Sequence, residues 1–133
     1  MTLLPAKLDA KAIKLIDGKN FAFLATLMPD GSPQVSPVWV DRDGDTILVN
    51  TAVGRVKERN AARDTRVAIS IADQNNMYDK ILVRGQVITQ TLEGAEAHID
   101  KLAKKYIGKD SYPWRQPGEK RVILKIEPTH VSI

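Results

Sequence analysis

The chain predicts a mainly β fold with helical insertions, built as a small six-stranded antiparallel barrel. Three features carry that expectation. Apolar runs of strand length recur along the 133 residues, many at hairpin spacing with tight-turn signals between them. Three other segments place apolar residues at helical intervals. No repeat, linker or low-complexity stretch intervenes, so residues 1–133 read as a single domain, long enough to bury a core without staples.

Leu8 to Gly18 predicts a short helix, with Leu8, Ala12, Ile13, Leu15 and Ile16 on one side and Gly18 as its stop. Phe21 to Leu27 has strand composition, Pro29-Asp30-Gly31 signals a turn, and Pro33 to Val40 returns as a second strand. Pro37 is awkward in a fully paired central strand. Asp43-Gly44 makes the next turn into a strand over Thr46 to Asn50, so the three strands are expected to form a meander. A basic helix runs from about Arg55 to Arg63, followed by an alternating strand over Arg66 to Ala72. Asp73 to Asp79 reads as a polar loop, and Ile81 to Gln90 as a long strand with a bulge or close backbone approach at Gly85. Leu92 to Tyr106 is the clearest helix, ended by Gly108. A loop rich in Tyr, Pro, Trp and Arg precedes the last strand, Arg121 to Glu127, which extends past Pro128.

Composition narrows the chemistry. Forty-three per cent apolar and 27 per cent charged residues are ordinary for a soluble globular protein. The absence of cysteine excludes disulfides, thiolate metal sites and cysteine nucleophiles. The segment Met1 to Lys7 lacks the apolar core of a signal peptide, and no run approaches a membrane span. The expectation is a cytoplasmic protein with no membrane partner. The 20 basic and 16 acidic residues leave a net charge of +4. Between Arg55 and Arg66, five basic residues face Glu58 and Asp64 alone, so most of the excess is local and suggests a bound anion.

No Gly-x-Ser-x-Gly elbow, phosphate-binding Gly-Lys loop or Gly-x-Gly-x-x-Gly fingerprint is present. His98 and His130 lack metal-ligand spacing and read as structural or surface residues; no metal is expected. A chain this poor in acid–base machinery still catalyses if a cofactor supplies the reactivity. The place for one is Leu48 to Asn60: a strand ends at Asn50, a Thr-Ala-Val-Gly turn follows, and Arg55, Lys57 and Arg59 open a helix. Unpaired N–H groups and the positive dipole end at a helix start favour a phosphate, and the cations add to it. Arg55 and Lys57 would diverge on a regular helix but converge in the turn that enters it.

Three segments resemble one family in matching order: Ala25 to Val40, with its Pro-Asp-Gly turn and Pro37-Val38-Trp39; Asn50-Thr51 with Arg55, Lys57 and Asn60; and Tyr112-Pro113-Trp114-Arg115 with Gly118, Arg121 and Val122. The pattern is similar to the pyridoxamine 5′-phosphate oxidase-like flavin and deazaflavin oxidoreductases, in particular their small coenzyme F420-dependent members. The resemblance implies an FMN-binding split β-barrel, a homodimer with the cofactor in grooves at the subunit interface, and a small-molecule substrate. It implies that Arg55 and Lys57 hold the phosphate with Asn50 and Thr51 near it, and that Val56 and Asn60 belong to the same set. Pro37, Val38 and Trp39 lie against the tricyclic ring, and Met77, Tyr78, Trp114 and Arg115 contribute around ring and tail, in part from the partner chain. The chain lacks the C-terminal end of pyridoxamine 5′-phosphate oxidase itself, so pyridoxal phosphate synthesis is not expected.

Plainer readings stand beside these. Trp39 suits a core or interface position, Met77 and Tyr78 suit loop filling, and Trp114 suits an interface plug. Arg59 and Arg63 suit pairing with Glu58 or Asp64 as well as an anionic cofactor tail. The expected activity is hydride transfer from reduced F420 to an activated double bond or similar acceptor. No catalytic residue is assigned, since Tyr78 and solvent are equal candidates as proton source. FMN is the alternative cofactor, and a non-catalytic carrier the alternative role; Arg59, Arg63 and Arg115 favour F420, whose tail is acidic. Nucleic acid is not an expected partner, because aromatics make up only 5 per cent of the chain.

Overall fold

The computed structural model describes residues 4–133, so Met1 to Leu3 of the N-terminal segment read above lie outside the described residues. In chain order the elements are α1 (Ala10–Asp17), β1 (Ala22–Leu27), β2 (Pro33–Val38), β3 (Asp41–Asp43), β4 (Thr46–Ala52), α2 (Val56–Arg63), β5 (Arg66–Asp73), β6 (Asn76–Thr91), α3 (Ala95–Ile107) and β7 (Arg121–Ser132). The strands form one antiparallel sheet in the order β2-β1-β5-β6-β7-β4-β3.

The described residues thus hold seven strands rather than six, because the expected strand over Pro33 to Val40 ends at Val38 and a separate β3 follows. The physical reason lies at Val40. Its N–H bonds to the Tyr106 hydroxyl at 3.1 Å and its carbonyl accepts from Lys105 Nζ at 2.8 Å, so no ladder continues through it. The expected meander also fails. β2 pairs only with β1, and β4 pairs with β3 and β7, so the consecutive strands β2 and β3 form opposite edges of the curled sheet. Pro37 therefore sits on an edge strand, where a missing N–H costs no ladder bond.

A second correction concerns Asp73 to Asp79. The segment is a hairpin, with Asp73 opposite Asn76, and Met77 and Tyr78 belong to β6. The Asp73 carboxylate accepts from the Asn75 N–H at 2.7 Å, and Asn20 Oδ1 accepts from the Gln74 N–H at 2.9 Å. Side-chain bonds of this kind make a two-residue turn out of a polar run. Gly85 meets its expectation: the β6–β7 register shifts there, and a Cβ would run into the Glu127 carbonyl.

Two apolar clusters support the site. The larger one joins Leu15 and Ile16 of α1 to Leu24, Ile47, Ile71, Ile81, Leu124 and Ile126 of the sheet. Each fully buried side chain of this size contributes about 1.5–3 kcal/mol by area. The smaller cluster, Ile99, Leu102 and Tyr106 of α3, packs on Trp39, Ile107 and Tyr112. Tyr106 donates to the Asn20 carbonyl at 2.6 Å, and burial pushes its hydroxyl pKa up to about 12. Trp39 stacks on the Tyr106 ring at 5.3 Å, which ties the end of β2 to α3. No helix among the described residues is long and apolar enough to cross a membrane.

Candidate functional site

A cavity of about 300 Å³ opens where β2 and β4 end, between the start of α2 and the loop that follows α3. Its polar end is local in sequence. β4 delivers Asn50 and Thr51, and Gly54 turns the chain with φ +92°, a conformation open to glycine at no steric cost. The Arg55 N–H closes that turn on the Ala52 carbonyl at 3.2 Å. Arg55 is the N-cap of α2 in extended conformation, with no side-chain cap. Being outside the helix, it escapes the helical period, and Arg55 and Lys57 line the same cavity.

The other end is aromatic and apolar. Pro37, Val38 and Trp39 form one wall, with Phe21 and Ile99 beside them, and Tyr112 and Trp114 of the loop form another. Tyr112 and Trp114 meet edge to face at 5.8 Å, and each contacts the Trp39 ring, at 6.0 and 6.3 Å. Trp114 and Phe21 remain half exposed, so planar apolar surface is left for a guest.

Electrostatics single out the polar end. Burial pushes the Lys57 ammonium below the ordinary lysine pKa, and Arg55 and then Arg121 push it further. Glu119 is the nearby carboxylate: it takes Arg121 Nη1 at 2.6 Å and lies 3.6 Å from Arg55 Nη2. Burial alone would raise its pKa, but Arg121 and Arg55 hold it below the usual range. The Thr51 hydroxyl is buried and has no hydrogen-bond partner. An unmet buried hydroxyl costs about 1–3 kcal/mol.

Of the residues singled out from sequence, Pro37, Val38, Trp39, Asn50, Thr51, Arg55, Lys57 and Trp114 line this cavity. Val56, Asn60, Met77, Tyr78 and Arg115 do not. Asn60 is buried behind the site, donating to Thr26 Oγ1 at 3.1 Å and holding Arg63 at 3.1 Å. Arg63 also bonds the Leu27 carbonyl at 3.1 Å. Arg115 is turned toward α3, bonded to Asp100 at 2.9 Å and to the Glu96 carbonyl at 2.9 Å. Met77 and Tyr78 stand exposed near the tip of the β5–β6 hairpin. Phe21, Ile99, Tyr112 and Arg121 line the cavity without having been assigned to it, although Tyr112 and Arg121 stand in the segment that carries the resemblance. For Arg121 a signal existed: an arginine opening an otherwise apolar strand directly after a loop.

The residues present suit a planar ring system carrying a phosphate: cations and amide donors share one cavity with aromatic faces. Neither ring nitrogen of His98 faces the cavity unengaged, since Nδ1 meets Asn50 Nδ2 at 3.2 Å and Nε2 meets Asp41 Oδ2 at 3.1 Å.

The family model described as pyridoxamine 5′-phosphate oxidase matches residues 8–133. The chain belongs to that family. Among solved structures of similar fold, an F420 reductase is 32% identical, with 90% of this chain and 94% of that one covered and a TM-score of 0.78. A conserved hypothetical protein of Mycobacterium tuberculosis is 19% identical over 98% of this chain and 88% of its own, with a TM-score of 0.69. The general stress protein 26 of Bacillus anthracis is 16% identical over 91% and 88%, with a TM-score of 0.63. At those identities the last two speak for the fold alone.

Proposed function

We propose that this member of the pyridoxamine 5′-phosphate oxidase family binds coenzyme F420 and transfers hydride from the reduced deazaflavin to an activated double bond or similar small-molecule acceptor. The family match and the F420 reductase neighbour support the coarser reading, a flavin- or deazaflavin-related oxidoreductase. One observation carries the site assignment: Arg55 and Lys57 line the same cavity as Thr51, whose buried hydroxyl has no partner, and as the Trp39 and Trp114 rings.

In this reading the first-turn N–H groups of α2, Arg55 and Lys57 hold the phosphate. The strand through Pro37 and Val38 supports one face of the ring system, and the Trp39, Tyr112 and Trp114 cluster excludes water around it. The bound cofactor supplies a hydride from a ring carbon. The chain's own contribution is orientation. No side chain of the cavity is assigned as a proton donor; solvent serves, or Tyr78. Met77 and Tyr78 are assigned to the site of a partner protomer. The outer sheet face supports such a homodimer: Phe23, Val35 and Leu82 are exposed around a hollow of about 760 Å³.

FMN is kept as a second reading on a specific observation. Arg63 and Arg115, two of the three cations that would serve an acidic tail, are bonded within the chain. Titrating the protein with F420 and with FMN, followed by tryptophan quenching, separates the two. Tight FMN binding with no F420 binding overturns the F420 reading. Oxidation of reduced F420 across a panel of enones, quinones and tetrapyrroles then tests catalysis, and silence across it leaves a carrier.

A further inference from the structure

We infer that Arg121 is a third cation of this anion site, aimed into it by Asn50, and that His98 is the positioning residue that sets the Asn50 amide. The inference rests on the reading of the cavity's polar end as a phosphate site.

Arg121 pairs with Ala52 across the β4–β7 ladder, so the strand register brings it to the turn that carries Arg55. Its side chain is 3% exposed and lines the cavity. Three contacts fix the guanidinium: Nε donates to Asn50 Oδ1 at 2.9 Å, Nη1 donates to Glu119 at 2.6 Å, and the Tyr112 ring lies 5.1 Å away. These bonds use Nε and Nη1, which leaves Nη2 for a guest. Glu119 does not cancel the charge of the cluster, because Arg55 shares the same carboxylate. With one carboxylate for two arginines and a lysine, the cluster keeps an excess of positive charge that a bound anion offsets.

The orientation of Asn50 follows from partners that have only one possible role. The Ala95 carbonyl only accepts, at 2.9 Å from Nδ2, and Arg121 Nε only donates, at 2.9 Å from Oδ1. The amide is therefore not free to flip. Its second Nδ2 hydrogen points at His98 Nδ1, 3.2 Å away, which must accept. The His98 proton then sits on Nε2 and is donated to Asp41 Oδ2 at 3.1 Å. Lys101 bonds the same Asp41 oxygen at 3.1 Å. Burial alone would raise the Asp41 pKa, but the bonds from His98, the Arg42 N–H and Lys101 hold it well below the usual range, so it stays an acceptor. Donation thus runs from Arg121 at the anion site through Asn50 and His98 to Asp41, where Lys101 donates from the other side.

The test compares each cofactor with its form lacking phosphate: FMN with riboflavin, and F420 with its dephosphorylated deazaflavin chromophore. For FMN the affinity ratio reports the phosphate alone; for F420 it reports the phosphate together with the acidic tail joined through it. For the pair the wild type binds, Arg121→Gln should lower the ratio about tenfold to a hundredfold, with the phosphate-free form bound as before. An unchanged ratio overturns the role of Arg121. If Arg121→Gln fails to fold, Arg121→Lys keeps a charge for Glu119 without the Nε bond, and should lose several-fold; a wild-type ratio again overturns it. His98→Leu should lower the ratio, and His98→Gln should restore most of it, since a Gln carbonyl accepts from Asn50 while its amide donates to Asp41. Equal losses in both variants overturn the positioning role. A wild type that does not prefer the phosphorylated form in either pair sinks the phosphate-site reading itself, a result distinct from these.

Discussion

Arg55 and Arg115 are both arginines beside the cavity, yet their surroundings are opposite. Arg115 is saturated: Asp100 takes Nη1, the Glu96 carbonyl takes Nη2, and Glu96 Oε1 lies 3.4 Å from Nε. Its pKa is raised by the Asp100 bond, and that of Asp100 is lowered in return. Arg55 has one carboxylate at 3.6 Å, shared with Arg121, and its neighbour Lys57 is pushed toward neutrality. A cation already paired with carboxylates cements a loop. One left among other cations waits for an anion. Proximity to the cavity does not separate the two roles; the placement of acidic side chains does.

The contrast breaks most directly with Arg55→Ala/Lys57→Ala. Affinity for the phosphorylated cofactor should fall by about 2–4 kcal/mol in a fluorescence titration. The urea midpoint should hardly move, because the fold loses only the 3.6 Å contact of Arg55 with Glu119, which Arg121 still holds. Retained affinity would erase the distinction between the two clusters. Thr51→Val gives a smaller effect of two signs. Removing an orphaned buried hydroxyl should raise the stability of the ligand-free protein by roughly 1 kcal/mol and weaken cofactor binding by about as much. A loss of stability instead would mean that the hydroxyl is satisfied within the chain.

Arg115→Ala should do the reverse of the double variant, leaving affinity intact and costing about 0.5–1 kcal/mol of stability in a denaturant titration. The alkaline limb of binding sharpens the comparison further. Lys57 is charged only below its pKa, which burial, Arg55 and Arg121 set under the ordinary lysine value. Phosphate affinity should therefore begin to fall before the pH reaches the ordinary lysine range, and Lys57→Met should abolish that fall. The smallest effect is expected for Asp64→Ala. Its pKa is lowered to about 2 by the Arg66 bonds, but the pair lies at the surface with Arg66 exposed and Asp64 partly so, and neither affinity nor midpoint should change more than slightly.

Much of this was legible from local signals. The Pro-Asp-Gly turn, the apolar face of α3, the close approach at Gly85 and the strand end before a basic helix are all short-range features, and each stands where it was expected. Convergence of Arg55 and Lys57 was legible for the same reason, since an N-cap residue is exempt from the helical period. Non-local features were not. Trp39 and Val40 look like the continuation of β2, and only the Tyr106 hydroxyl, 66 residues away, ends the strand there. Arg63 and Arg115 look like tail-binding cations, and only the fold supplies the Leu27 carbonyl and Asp100 that occupy them.

By itself, then, the order of residues determined the type of every element but β3 and the start of β6, the Pro-Asp-Gly turn and the basic start of α2, because these depend on neighbours within a turn or two. Tertiary structure alone decided that β2 and β3 lie at opposite edges, that Arg121 faces Ala52 and joins the anion site, and that Arg115 turns away from it. Strand pairing and ion pairing connect residues tens of positions apart, and no local pattern states which partners the closed sheet brings together.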